Sequence, residues 1–237
     1  MPHSTISVIG HGRMGVALAS ALRAPAPLGR GSDGENADIV LLCVPDAEIA
    51  AAAALVAPGR LLGHCSGATT LEPLAPHEAF SLHPLMTAPA DPERPVGFAG
   101  VPCAVAGSTP RALDQARLLV ERLGGTPIAV DDDDRAAYHA AASIASNFLV
   151  TLEHAAERLL STAGVEREAL VPLVRATVEN WAADGEHALT GPISRGDEAT
   201  VAAQRAAVEE RAPELLGVFD ALADATRTLS GRTPVRA

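Results

Sequence analysis

The chain has 237 residues, of which 48% are hydrophobic and only 3% aromatic, and its formal net charge is −11. That acidity disfavours a nucleic-acid backbone or an anionic membrane surface as the main partner, and so few aromatic rings argue against a base-stacking platform. All 18 basic side chains are arginine, so no Schiff base, lysine general acid or Walker-type lysine can come from this chain.

At the N-terminus a short apolar strand, Ile6 to Ile9, runs into Gly10-His11-Gly12-Arg13-Met14-Gly15. A helical pattern follows at once through Val16, Leu18, Ala19 and Leu22. In a strand–turn–helix unit, Gly10 permits the tight turn, Gly12 lets a pyrophosphate approach the backbone, and Gly15 lets helix and strand pack closely. The helix N-terminus presents free N–H groups and a partial positive charge to phosphate. Residues 10–15 are therefore candidate dinucleotide ligands. A proline-rich second strand is expected across Ala24–Asp33, about twenty residues beyond the first glycine, where an acid would hold the ribose of NAD and an arginine the 2′-phosphate of NADP. Arg30 and Ser32 favour NADP (NADPH); Asp33 keeps NAD open.

Ala37–Val44 reads as a strand covered on both faces. Val44 and Pro45 are candidate cofactor walls at its carboxyl end, and Asp46 is placed to cap a helix over Ala47–Val56 and counted with the cofactor residues. The next strand, Gly59–His64, ends in Cys65-Ser66-Gly67, with Ser66 a candidate ligand for the carboxamide or substrate. A hydrolase reading on Ser66 fails the G-x-S-x-G spacing of a nucleophile elbow, and Cys65 reads as a small buried residue. Cys43, Cys65 and Cys103 have no zinc or C-x-x-C spacing, so no metal site is expected and a reduced, cytoplasmic protein is. The N-terminus shows no basic leader region, and no uninterrupted apolar run has membrane-spanning length.

Ala79–Leu82 reads as a strand that delivers His83 to its carboxyl end; 87–100 reads as a loop. A strand over Val101–Ala106, a helix from Thr109–Pro110 to Leu123 and a strand over Thr126–Val130 complete the region. Asp131–Asp134 reads as a domain junction and helix N-terminus rather than a metal site. Beyond it the pattern is helical: Arg135–Ala163, Glu166–Asp184, Glu198–Glu210 and Glu214–Leu229. On the first of these, His139, Ser143 and Asn147 fall at i, i+4 and i+8 and form a polar row among small apolar residues. Leu189–Asp197 is a compact loop whose Arg195 can clamp a carboxylate, or pair with Asp197 as Asp197 caps the following helix.

Taken in order, Gly10-x-Gly12-Arg13-x-Gly15, Cys43-Val44-Pro45-Asp46, His64-Cys65-Ser66-Gly67-Ala68, His83-Pro84-Leu85, Tyr138-His139-Ala140 through Asn147, and Leu189-Thr190-Gly191-Pro192 with Arg195-Gly196-Asp197 resemble the Rossmann-like bacterial family carrying the domain of unknown function 2520. That family is similar to pyrroline-5-carboxylate reductases, ketopantoate reductases and β-hydroxyacid dehydrogenases. The resemblance implies an α/β, doubly wound, mostly parallel sheet over 1–131, an all-α domain over 132–237, NADP binding, and a homodimer built through the C-terminal helices. The lysine general acid of the ketopantoate and β-hydroxyacid enzymes is missing, so its role passes to His139 or is unnecessary, as in imine reduction. The expected activity is NADPH-dependent reduction of a small carbonyl or imine acid. His139, Ser143, Asn147, His83 and Arg195 are the candidate catalytic set. A non-catalytic NADP-binding sensor is the rival reading.

Overall fold

The computed structural model describes residues 4–89, 91, 94 and 96–231; of the loop expected over 87–100, residues 90, 92, 93 and 95 lie outside them. The first part of the chain is a six-stranded sheet: β1 (Ile6–Ile9), β2 (Ile39–Leu42), β3 (Leu61–His64), β4 (Glu78–Pro84), β5 (Pro102–Gly107) and β6 (Thr126–Ala129), paired in that order. β1 to β4 are mutually parallel, β4 and β5 antiparallel, and β5 and β6 parallel. This is the doubly wound, mostly parallel sheet the sequence predicts.

Period-two alternation sorts the strand residues onto two faces. Ile6, Val8, Ile39, Leu41, Leu61, Phe80 and Leu82 join one apolar cluster with α1 (Arg13–Leu22) and α2 (Pro110–Leu123). Ile9, Val40, Leu42, Leu62 and Ala79 join the other, beneath a short helix over Ile49–Ala53 and the turn around Leu74. Both faces are covered, which is why β2 reads as an unbroken apolar run.

The expected second strand shrinks to a single parallel bridge, Ile9 to Leu28. Pro25 and Pro27 have no N–H to give a ladder, so only Leu28 exchanges bonds with Val8 and Gly10. The bridge nevertheless sets Arg30 and Ser32 just past the carboxyl end of this vestigial strand. Asp46 does not cap a helix: it opens a 3₁₀ turn, Asp46–Glu48, with no capping bond. Its carboxylate accepts instead from Ser66.

The helix expected over Arg135–Ala163 is interrupted. α3 (Arg135–Ser143) passes through a π turn, Ile144–Phe148, into α4 (Leu149–Ser161). The chain divides into two compact units between Ser146 and Asn147, inside this turn. The 131/132 position read from the acidic run marks the end of the sheet, and α3 stays with the sheet unit. The second unit contains α4, α5 (Val171–Asp184), α6 (Pro192–Arg195), α7 (Glu198–Arg211) and α8 (Leu216–Leu229). Within it α7 and α8 are joined by Arg205–Asp220 and Arg227–Glu198 ion pairs. No described helix is long and apolar enough to cross a membrane.

Candidate active site

The glycine turn has the geometry its spacing predicts. Gly10 sits at φ +125°, where a Cβ would fall 2.3 Å from the Cys43 carbonyl oxygen. Gly15 is pressed against the turn itself. A Cβ at Gly12, by contrast, would meet nothing within 4 Å. Gly12 is also the N-cap of α1 and no side chain caps the helix, so its first N–H groups stay open. His11 Nε2 lies 2.8 Å from the Pro27 carbonyl and ties the turn to the Leu28 segment. Arg13 donates to the Ala88 carbonyl at 3.2 Å, and Met14 packs partly buried against the core. Arg30 is exposed and pairs with Glu48 at 2.8 Å, while Ser32 Oγ accepts from the Gly34 N–H. Val44 is half-buried and Pro45 exposed just beyond β2.

Ser66 is buried and its hydroxyl is fully engaged. It lies 2.8 Å from Asp46 Oδ2 and 2.9 Å from Thr69 Oγ1, and accepts from the Ala68 and Thr69 N–H groups. It therefore shapes the loop after β3 rather than offering a free nucleophile. Cys65 is no better placed: its contact with Cys43, 3.5 Å between sulfurs, and its burial push the thiol well above its ordinary pKa. Beneath the loop, fully buried His64 receives the Ser66 N–H on Nδ1 and so donates from Nε2 to the Thr70 carbonyl. Burial holds this imidazole below its usual pKa.

His83 lies within β4, opposite Ala104, rather than beyond it. It shares a face with Ser81 and Ala79. α3 starts on that face: buried Arg135 donates to Ser81 Oγ and, at 2.6 Å, to Asp132. Asp132 neutralises a guanidinium that would otherwise be costly to bury. One turn on, the Tyr138 hydroxyl lies 2.8 Å from His83 Nδ1, its ring edge-on at 88°. His139 comes beside them, its ring centroid 6.2 Å from that of His83. A Cβ on Gly67 would fall 2.8 Å from His83 Cε1 and 3.0 Å from His139 Cδ2, so the loop after β3 lies directly on both imidazoles. Burial, then the charges of His139 and Arg135, push His83 down to about 4. Burial raises Tyr138. His139 and Ser143 are half-buried, and His139 makes no hydrogen bond within the described residues.

Tyr138 and Gly67 belong to motifs quoted above but, like Arg135, carry no role readable from the sequence, because that role depends on β3, β4 and α3 meeting. The helix that carries the expected polar row is interrupted by the π turn Ile144–Phe148, which contains Asn147. Asn147 is exposed and belongs to the second unit. So does Arg195, exposed at the end of α6, while Asp197 caps α7 by accepting from Thr200. Among the described residues no group of three His, Cys, Asp or Glu is placed to hold a metal.

A strand–glycine turn–helix with an uncapped N-terminus, feeding a mostly parallel sheet with His83 on β4 beside His139 on α3, defines a Rossmann-like α/β unit followed by a helical unit. The chain belongs to the family described as Domain of unknown function (DUF2520), whose model matches residues 101–226. No curated protein sequence matches it. Among solved structures, protein TM1727 from Thermotoga maritima is 22% identical, covering 96% of this chain and 100% of its own, with a TM-score of 0.85. BF3122 from Bacteroides fragilis, provisionally described as an NADP oxidoreductase, is 17% identical over 95% and 98% of the two chains, with a TM-score of 0.80. A reductive aminase from Aspergillus terreus, solved with NADPH and ethyl levulinate, is 16% identical over 98% and 96%, with a TM-score of 0.65. At these identities the likeness establishes the fold.

Proposed function

We propose that the chain is an NADP-dependent reductase of a small carbonyl or imine acid, such as a 2-oxo acid or a ketopantoate-like compound. The observation that carries this reading is the contrast within the glycine turn: Gly10 and Gly15 are locked by backbone contacts, while Gly12 faces open space beside uncapped helix N–H groups. That arrangement fits a diphosphate. The N–H groups of Arg13 and Met14 would hold it, Val44 and Pro45 would wall the adenosine, and Arg30 would exchange Glu48 for a 2′-phosphate. A bound nicotinamide supplies the hydride.

His139 then donates the proton. It is the imidazole at this end of the sheet that makes no hydrogen bond among the described residues, and an imidazole N–H is a suitable general acid. Substrate binding is assigned to Ser143, Asn147 and Arg195 on chemistry alone: a hydroxyl and an amide for oxygen or nitrogen, a guanidinium for a carboxylate. The NADP chemistry ascribed to BF3122 and the NADPH bound by the reductive aminase support the same class. Three free thiols fit a reducing cytoplasm. A homodimer through the helical unit is supported by α4 and α5, neither of which holds a buried residue.

The test is NADPH oxidation across a panel of 2-oxo acids and cyclic imines. Turnover with any member supports the reading. NADP binding with no turnover across the panel favours the sensor.

A further inference from the structure

His83 and Tyr138 form a pair whose chemistry the reductase reading does not use. The phenol lies 2.8 Å from Nδ1 of His83. A phenol is a good donor and a poor acceptor next to an imidazole nitrogen, so the hydroxyl donates and Nδ1 accepts. The proton of the neutral ring then belongs on Nε2. That nitrogen makes no hydrogen bond within the described residues. Burial favours the neutral ring, as do His139, Arg135 and His64, while Asp46 acts the other way. Gly67 lies beside the Nδ1–Cε1 edge, where any larger residue would strike the ring.

We propose that Tyr138 is a positioning residue that fixes His83 as a neutral Nε2–H donor, and that this donor binds a carbonyl or carboxyl oxygen of the substrate while His139 supplies the proton. The two imidazoles thereby divide the work: one holds, the other donates. The ligand chemistry this selects is a carbonyl or carboxyl oxygen, whose two lone pairs can take a hydrogen bond and a proton together, in preference to a cationic centre. The binding role rests on the reductase reading; the tautomer assignment does not.

The experiment is ¹⁵N–¹H correlation NMR of the imidazoles in the whole, ligand-free chain, with His83 assigned by its disappearance in His83→Gln. We expect the Nε2–H tautomer from pH 5.5 to 8.5, and a mixture of both tautomers in Tyr138→Phe at an unchanged backbone spectrum. An Nδ1–H tautomer in the wild type, a charged ring at pH 6, or an unaltered tautomer in Tyr138→Phe would each overturn the assignment. In turnover, Tyr138→Phe lowers kcat/KM by about fivefold to tenfold, the net worth of one hydrogen bond, with NADPH affinity unchanged. An unchanged kcat/KM overturns the binding role. A chain that shows the tautomer yet oxidises no NADPH with any substrate removes the reductase reading instead.

Discussion

A Cβ placed on Gly15 would lie 2.1 Å from the carbonyl oxygen of Gly10, closer than any backbone can tolerate. Helix α1 can therefore approach β1 only because Gly15 lacks a side chain, while a side chain on Gly10 would strike the Cys43 backbone instead. Gly12, between them, is open and sits at φ −67°, a value any residue adopts. The three glycines thus separate into two that make the turn and one that leaves space beside it.

Gly15→Ala should accordingly lower stability by at least about 3 kcal/mol, because the clash is with backbone. Gly12→Ala should melt with the wild type, yet lose about tenfold or more in NADPH affinity, a difference of about 1.4 kcal/mol. Thermal melts and cofactor titrations of both variants check this. Equal stability losses would mean that Gly12 is only a structural residue.

Acid should destabilise the fold through His83. Its folded pKa, about 4, lies below the ordinary value near 6.5. Above about pH 6.5 both folded and unfolded rings are neutral and the stability is fully present. As pH falls toward 4 the unfolded chain takes up a proton that the folded ring refuses, which removes about 3 kcal/mol by the time the folded pKa is passed. Buried His64 acts in the same direction. Urea unfolding at pH 7 and pH 4.5 should show the fall, and His83→Gln should reduce it. A variant with the wild-type pH slope would remove His83 from the account.

His139→Ala should reduce kcat by about 100-fold or more, the usual worth of a general acid, while the NADPH dissociation constant stays within about twofold. Loss of cofactor binding in place of turnover would reassign the residue.

The helical unit should dimerise. On α5, Leu173 is 63% and Trp181 64% exposed, and Val150 on α4 is 69% exposed. Apolar side chains left bare over two helices require cover. Light scattering at micromolar concentration should give twice the chain mass for the wild type and the chain mass for Leu173→Asp. A monomeric wild type would refute the dimer.

Much of the sheet unit was legible in the sequence because its signals are local. The run Ile39–Leu42 and the glycine turn each carry their own geometry. The misreadings arose where partners come from elsewhere in the chain. Asp46 had the residue type of a cap, but Ser66, across the loop after β3, captured its carboxylate. Leu28 was legible as a strand position, yet the flanking prolines removed the ladder that would have made it one. His139 and Ser143 were found by helical periodicity. The single long helix expected beneath that row is in fact interrupted, because the π turn at Ile144–Phe148 has no signature that pattern reading detects. Tyr138 and Gly67 gained meaning only once β3, β4 and α3 were assembled.

The central claim is that the opening turn holds the diphosphate of NADP, and titration of the chain with NADPH and NADH, read by melting temperature and cofactor fluorescence, tests it most directly. Saturable binding of NADPH is expected, about tenfold tighter than NADH, with that preference lost in Arg30→Ala as one charge-assisted contact to phosphate disappears. The melting temperature of the ligand-free variant should be unchanged, because the Arg30–Glu48 pair is exposed. No change in melting temperature or fluorescence with either nucleotide would contradict the account.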